Sequence, residues 1–269
     1  MTREPTIPGE YFVYGGVSSA DYGVFISGPA LFNAPQRDVT VVSVPGRNGD
    51  VVFDNNRFLN IDVTYDCFIP RGFTEKFEHF KAAMLSMTGY QRIEDTYFPD
   101  HFREGYFVGP IQPTTGPLNR SGRFTITFRC KPQRYYKTGI RAIIITTVGG
   151  STTVNNRTPF TSKPLIQIRS ENAHAVCRLR NYKTFADMQA GNIYDITIND
   201  NITGTMYIDS ETGNCYYERT TSGKTVMVPI NDKVLTASKG IPLLEPGANY
   251  ILPTGDITRV AIQPRWWTI

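Results

Sequence analysis

The chain reads as a mainly β protein of two domains, on three observations. Apolar residues recur at every second position in long segments. Turn-forming residues, 23 Gly and 18 Pro among 269, punctuate the chain, and a single convincing helical pattern stands between the strands. With 40% hydrophobic and 19% charged residues the balance is globular rather than disordered. The length suits one large or two medium domains.

From Leu59 to Ile69 the apolar residues fall on alternate positions, which predicts a half-buried strand. Phe124, Ile126, Phe128 and Cys130 repeat the pattern, with Thr125, Thr127 and Arg129 facing the other way. Both suit an antiparallel sheet with one packed face. Between them a helix is expected over 74–88, opened by Thr74 as N-cap and closed by Gly89. Phe77, Phe80, Met84 and Met87 share one stripe of that helix, expected to pack on the sheet.

After Cys130 the alternation fails, and Pro132 and Gly139 place a domain boundary near Tyr136, giving domains 1–136 and 137–269. Short β segments follow at 140–148, 164–169, 175–182, 194–198, 205–209, 214–217, 225–229 and 259–264. Turn signals separate many of them, at Asn155-Asn156, Ala190-Gly191-Asn192, Glu211 to Asn214 and Thr221 to Lys224. That spacing predicts a β-sandwich with no helix.

The net charge of +4 is scattered, so there is no electrostatic footprint for nucleic acid. The segment from Met1 to Glu10 has no apolar signal-peptide core, and no apolar stretch approaches the roughly 20 residues that cross a bilayer. The expectation is a protein kept in a cytoplasm until assembly, with no membrane partner. Cys67, Cys130, Cys177 and Cys215 lie far apart without a Cys-x-x-Cys pair, which predicts buried free thiols. The Asn-x-Ser/Thr matches at Asn119, Asn156 and Asn201 are read as chance. His79, His101 and His174 are the three imidazoles; they lack metal-ligand spacing, and no Gly-Lys-Ser/Thr phosphate loop occurs. No catalytic, metal or cofactor site is predicted, and none of these patterns suggests an enzyme.

Two stretches carry a family resemblance. Val44-Pro45-Gly46-Arg47-Asn48-Gly49-Asp50-Val51, preceded by Arg37 and by Tyr22-Gly23-Val24-Phe25-Ile26, resembles the Pro-Gly-Arg-x-Gly-Asp motif of siphophage distal tail (Dit) proteins. Gly122 to Pro132, ending in Cys130-Lys131-Pro132, resembles that family's closing strand, and the run after the helix, Tyr90 to Pro99, takes the expected place. Glu245-Pro246-Gly247-Ala248-Asn249 and the final Pro264-Arg265-Trp266-Trp267 are similar to the family's Pro-Gly-x-Asn turn and Pro-Arg-Trp ending.

The resemblance implies an N-terminal β-sandwich with one helix and a protruding β-hairpin that clasps a neighbouring copy. Six copies would close into a ring around a channel through which DNA passes without being specifically bound. The C-terminal domain would be a galectin-like or carbohydrate-module-like β-sandwich on the outside. Implied partners are the chain itself, the major tail tube protein, a tail-associated lysin or fibre protein, and a receptor-binding protein. The location would be the virion, at the tail tip. An alternative is a carbohydrate-binding tail module acting on the host cell wall through the C-terminal sandwich.

Pro45, Gly46 and Gly49 predict a tight loop that holds Arg47 and Asp50 at its rim. Those charges form either an inter-subunit, ring-stabilising pair or an ordinary solvated turn. The segment 102–120 is rich in Gly and Pro, is read as unable to form a central strand, and is expected either to project as the clasping hairpin or to form a surface loop. Tyr106, Phe107, Val108 and Ile111 are its candidate ring contacts. Trp266 and Trp267 are expected to lid the C-terminal core, with Tyr207, Tyr216 and Tyr217 as alternative sugar-stacking residues.

Overall fold

The computed structural model describes residues 9–28, 32–171, 176–199, 204–221 and 223–269. The chain divides into two units, one ending at Arg134 and the other running from Tyr135 to Thr268.

The first unit contains β1 (Phe12–Tyr14), β2 (Val17–Ser18), β3 (Phe25–Ser27), β4 (Arg37–Val42), β5 (Val51–Phe58) and β6 (Ile61–Ile69). Helix α1 (Phe73–Ser86) follows, then β7 (Gln91–Asp95), β8 (His101–Tyr106), β9 (Thr114–Thr115) and β10 (Gly122–Tyr136). One sheet runs in the order β2-β1-β7-β8-β10-β6-β3, with β9 attached to β10. Strands β6 and β10 pair antiparallel from Gly122 opposite Ile69 to Cys130 opposite Ile61. Because both alternate with period two, that register gathers Val63, Tyr65, Cys67, Phe124, Ile126, Phe128 and Cys130 into one buried set. Phe77 and Phe80 of α1 lie on it, 5.2 and 5.6 Å from the Phe124 ring. Phe12 of β1 completes the aromatic core, 5.3 Å from Tyr65 and 5.4 Å from Phe128.

The helix begins earlier than its sequence signal. Gly72 is the N-cap at φ +67°, no side chain caps the end, and Thr74 lies inside the first turn. The cause is tertiary: Phe73 is buried and stacks on Phe77 at 4.9 Å, so the first turn is fixed by packing instead of a hydroxyl cap. The helix ends at Ser86, with Met87 extended as the C-cap, its side chain packed against the core.

The second unit contains β11 (Ile143–Ile145), β12 (Thr152–Asn156), β13 (Leu165–Ser170), β14 (Val176–Tyr182), helix α2 (Phe185–Gln189), β15 (Tyr194–Asn199) and β16 (Gly204–Asp209). It continues through β17 (Asn214–Thr221), β18 (Lys224–Pro229), β19 (Val234–Ser238), β20 (Gly247–Gly255), β21 (Ile257–Gln263) and β22 (Trp267–Thr268). Two antiparallel sheets result, β11-β21-β13-β16-β17-β18 and β12-β20-β14-β15-β19. Ile166, Ile168, Ile208 and Val260 of the first share a core with Val154, Leu179, Ile196 and Ile251 of the second, which makes the unit a β-sandwich.

Four strands, β12, β19, β20 and β22, and a helix here escaped the sequence reading. Asn156 reads as a turn residue, yet it sits buried in β12 because its amide donates to Phe160 O and Leu244 O, both at 2.9 Å. Helix α2 corrects the expectation of a helix-free half. At five residues it is too short for a periodic signal, and Thr184 Oγ1 caps it by accepting from Asp187 N at 3.1 Å. Strands β19 and β20 flank the Pro-Gly turn. There the buried Asn249 donates to Glu245 O at 2.8 Å and accepts from Glu245 N at 3.0 Å.

The end of the chain is sewn onto this sandwich. Ser162 Oγ donates to Pro264 O at 2.6 Å, and Arg265 grips Asp209 through both terminal nitrogens, at 2.7 and 3.3 Å. Trp266 packs against the core, and Trp267 stacks on Phe160 at 4.2 Å.

Candidate assembly interface

Strands β4 and β5 form a two-stranded ribbon that, among the described residues, pairs with no other strand. Register sets Val41 opposite Val52 and Val42 opposite Val51, so alternation sends Val39, Val41 and Val52 to one face and Thr40, Val42 and Phe53 to the other. Val41, Val52 and Phe53 are 53%, 60% and 57% exposed. Exposed aliphatic and aromatic residues on both faces of a free ribbon give it two open edges and two apolar sides.

The base of the ribbon is polar and tightly bonded. Arg37 donates to Asp54 at 2.7 Å and lies over the Phe58 ring at 4.7 Å. Asn55 Nδ2 donates to Asp38 at 3.0 Å, and Arg57 Nε to the same carboxylate at 2.5 Å. The Asn55 hydrogen bond, then Arg57, hold the Asp38 carboxyl below its ordinary range. A bulge between Arg37 and Val39 sits at this end, where Asn56 takes φ +55° and its N–H reaches Asp54 at 2.8 Å. Ion pairs this exposed contribute little to global stability; their effect is to hold the ribbon's form.

The Pro-Gly-Arg stretch is the tip. Arg47 N donates to Val44 O at 3.2 Å, Pro45 takes the second corner of the turn, and Gly46 takes the third at φ +81°. That is a type II turn, which demands positive φ at the third residue. Gly49 has φ +82°, and a Cβ at either glycine would meet nothing within 4 Å, so the demand is conformational, not steric. Arg47 and Asp50 are both exposed, and among the described residues neither has an ion-pair partner within the chain.

The segment 102–120 opens with a central strand, which corrects the reading that it cannot form one. His101–Tyr106 is a strand inside the main sheet, between β7 and β10. Its alternation was hidden by Gly105, where a Cβ would lie 2.7 Å from both Cys130 Sγ and Ile93 Cδ1, and by Arg103, buried with Nη1 on Pro132 O at 3.1 Å. Tyr106 meets Tyr90 edge-on at 5.2 Å, Phe107 is buried with its N–H on the Tyr14 hydroxyl at 3.3 Å, and Ile111 packs on the core. Val108 alone of the four is exposed. The prolines fall after the strand, so they never meet the sheet ladder.

Among the described residues no group of three or more His, Cys, Asp and Glu could hold a metal ion, and no helix is long and apolar enough to cross a membrane. His79 is exposed on α1, burial and the Arg134 charge lower the pKa of His101, and His174 lies outside the described residues. Tyr207 and Tyr216 stack on each other at 5.1 Å, and the Tyr207 hydroxyl is held by Glu218 and Gln167.

No family model matches the chain, and no curated protein matches it. Solved structures do match. The SPP1 Dit protein, described as a paradigm of the hub adsorption apparatus in phages infecting Gram-positive bacteria, superposes with a TM-score of 0.69 at 14% identity. The match covers 97% of this chain and 100% of that one. The fold is a Dit fold. Two structures of the phage P2 baseplate in its activated conformation, with Ca and with Sr, match it with TM-scores of 0.51 and 0.52 at 10% and 9% identity. These cover 95% of this chain and 98% and 97% of theirs. The likeness to the Dit protein spans both units, including the C-terminal stretch where the sequence carries no recognisable motif.

Proposed function

We propose that this chain is a structural hub protein of a long-tailed phage, whose copies close into a ring of six as the β4–β5 ribbon of each grips the next. The observation that carries the reading is a Dit fold over 97% of the chain combined with a ribbon whose apolar faces stay exposed among the described residues. An isolated two-stranded ribbon is at best marginally stable in water, and burying its side chains recovers about 25 cal/mol per Å². A contact between two different surfaces of identical chains, repeated by rotation, closes a ring.

In this reading the ring encloses the DNA path without binding DNA specifically. A net charge of only +4, spread without a basic run, fits a conduit. One face of the ring meets the tail tube protein and the other the tail-associated lysin or fibre protein. The C-terminal sandwich offers its outer surface to a receptor-binding protein. The chain acts at the virion tail tip as a scaffold, without catalysis.

Light scattering of the purified chain, with negative-stain imaging, tests this. Particles of six times the chain mass with a central hole are expected. Replacing residues 43–50 by a two-residue Asn-Gly turn should return the protein to monomer. Rings that survive this replacement would remove the ribbon from the assembly.

A further inference from the structure

The hairpin formed by β7 and β8 buries a charge that its own surroundings do not balance. Pairing sets Ile93 opposite Arg103. Period two turns Arg103 to the same face as Gly105, toward the core, where it is only 6% exposed. Its Nη1 donates to Pro132 O at 3.1 Å, but Nη2 is buried with no hydrogen-bond partner among the described residues. Burial, and after it the Arg134 charge, lowers the pKa of this guanidinium to about 10, so it remains a cation at neutral pH.

The neighbouring carboxylate is already engaged. Asp95 accepts from the Tyr65 hydroxyl through Oδ2 and from Phe98 N through Oδ1, both at 2.9 Å. Arg134, lying over the Phe98 ring at 3.9 Å, brings a second cation. Arg103, Arg134, Asp95 and His101 meet at a cavity of about 10 Å³. His101 is neutral at pH 7, its pKa lowered by burial and then by Arg134. Two guanidinium groups against one carboxylate leave one positive charge in the lining, and burial makes an unbalanced charge costly.

A space of this size holds one water-sized particle, so carboxylates, phosphate and other polyatomic anions do not fit. A water molecule would satisfy Nη2 without cancelling the charge, whereas a monatomic anion does both. We propose that the cavity binds a single halide ion, chloride under physiological conditions, held by Arg103 Nη2 with the Arg134 guanidinium as the second charge. The site lies within the N-terminal unit and does not depend on the ring-forming reading.

Hydrogen exchange of the full-length protein, read by mass spectrometry as chloride replaces gluconate at constant ionic strength, tests it. Exchange of β7 and β8 should slow and then saturate, by about tenfold once chloride reaches ten times its dissociation constant. Strands β14 and β15 of the second unit should not respond. Bromide should act as chloride does. Arg103→Met should abolish the response. Arg134→Gln, at a partly exposed position, should need about fivefold or more chloride for the same slowing. If Arg103→Met does not fold, Arg134→Gln carries the comparison alone. Exchange in the parent that ignores chloride, slows equally in β14 and β15, or responds in Arg134→Gln as in the parent would mean that the cavity holds water only, and the proposal fails.

Discussion

Asn55 Nδ2 lies 3.0 Å from Asp38 Oδ1 across the foot of the ribbon, and Arg57 closes on the other oxygen of the same carboxylate. One acid thus ties two residues of the facing strand, below a tip that is exposed among the described residues. The ribbon is preformed at its foot and open at its end, the arrangement that lowers the ordering cost of docking.

The Asp38 carboxyl is held below its ordinary range by Asn55 and then Arg57, so its contribution is present above the unfolded value of about 3.9 and lost as pH falls through the lower folded value. Amide exchange between Arg37 and Phe58 should therefore stay slow at pH 5 and quicken only below about pH 4, relative to intrinsic rates. Asp38→Ala should show the quickened exchange already at pH 7, with the melting temperature unchanged. Hydrogen exchange read by mass spectrometry checks both.

All four cysteines are buried. Burial pushes the Cys130 thiol up to about 12 and the Cys215 thiol up to about 11. Folded thiols stay protonated where unfolded ones ionise, so stability should be intact below about pH 8.5 and fall as pH rises from there toward those values. Native protein should resist a thiol reagent at pH 8, and urea should expose all four sites. Rapid native labelling of Cys130 would contradict the packing.

Gly255 takes φ +79°, and a Cβ there would sit 1.9 Å from Val176 O, a backbone atom that cannot swing away. Gly255→Ala should cost the sandwich about 3 kcal/mol or more, through strain and the forced separation of β14 and β20. Gly46→Ala meets open space and carries only the conformational cost, about 1 kcal/mol confined to the tip. Urea titration of the two variants should separate them clearly.

Both tryptophans, Trp266 and Trp267, lie in the second unit, so intrinsic tryptophan fluorescence follows the end of that unit. Trp267→Ala removes a stacked contact at 4.2 Å with Phe160 and a hydrogen bond to Thr161 O at 3.0 Å. A loss of about 1–2 kcal/mol is expected, seen as an earlier urea midpoint in Trp266 emission. The aromatic core around Phe128 should be untouched when followed by amide exchange of β6 and β10.

Periodicity made β6, β10 and the buried stripe of α1 legible, because each hides one face and exposes the other over many residues. Where a strand is buried on both sides or held by polar side chains, that signal vanishes. Strand β8 carries Arg103 and Gly105 in its centre, and β12 ends in a buried Asn156. Their residue types read as loop, while their neighbours make them strand. Gly and Pro make 102–120 read as turn and loop, while a two-stranded ribbon lies at 37–58, around the Pro-Gly-Arg stretch that carries the resemblance.

By itself, then, the sequence determined the mainly β class, the core positions on β6, α1 and β10, the turn at Pro45-Gly46 and the absence of a basic run, since local torsions, alternation and charge count need no partner to be read. Only the tertiary structure decided which segment stands free and which is buried. That choice depends on how distant strands compete for the same sheet: β8 won a central place between β7 and β10, and β4 with β5 were left to pair with each other.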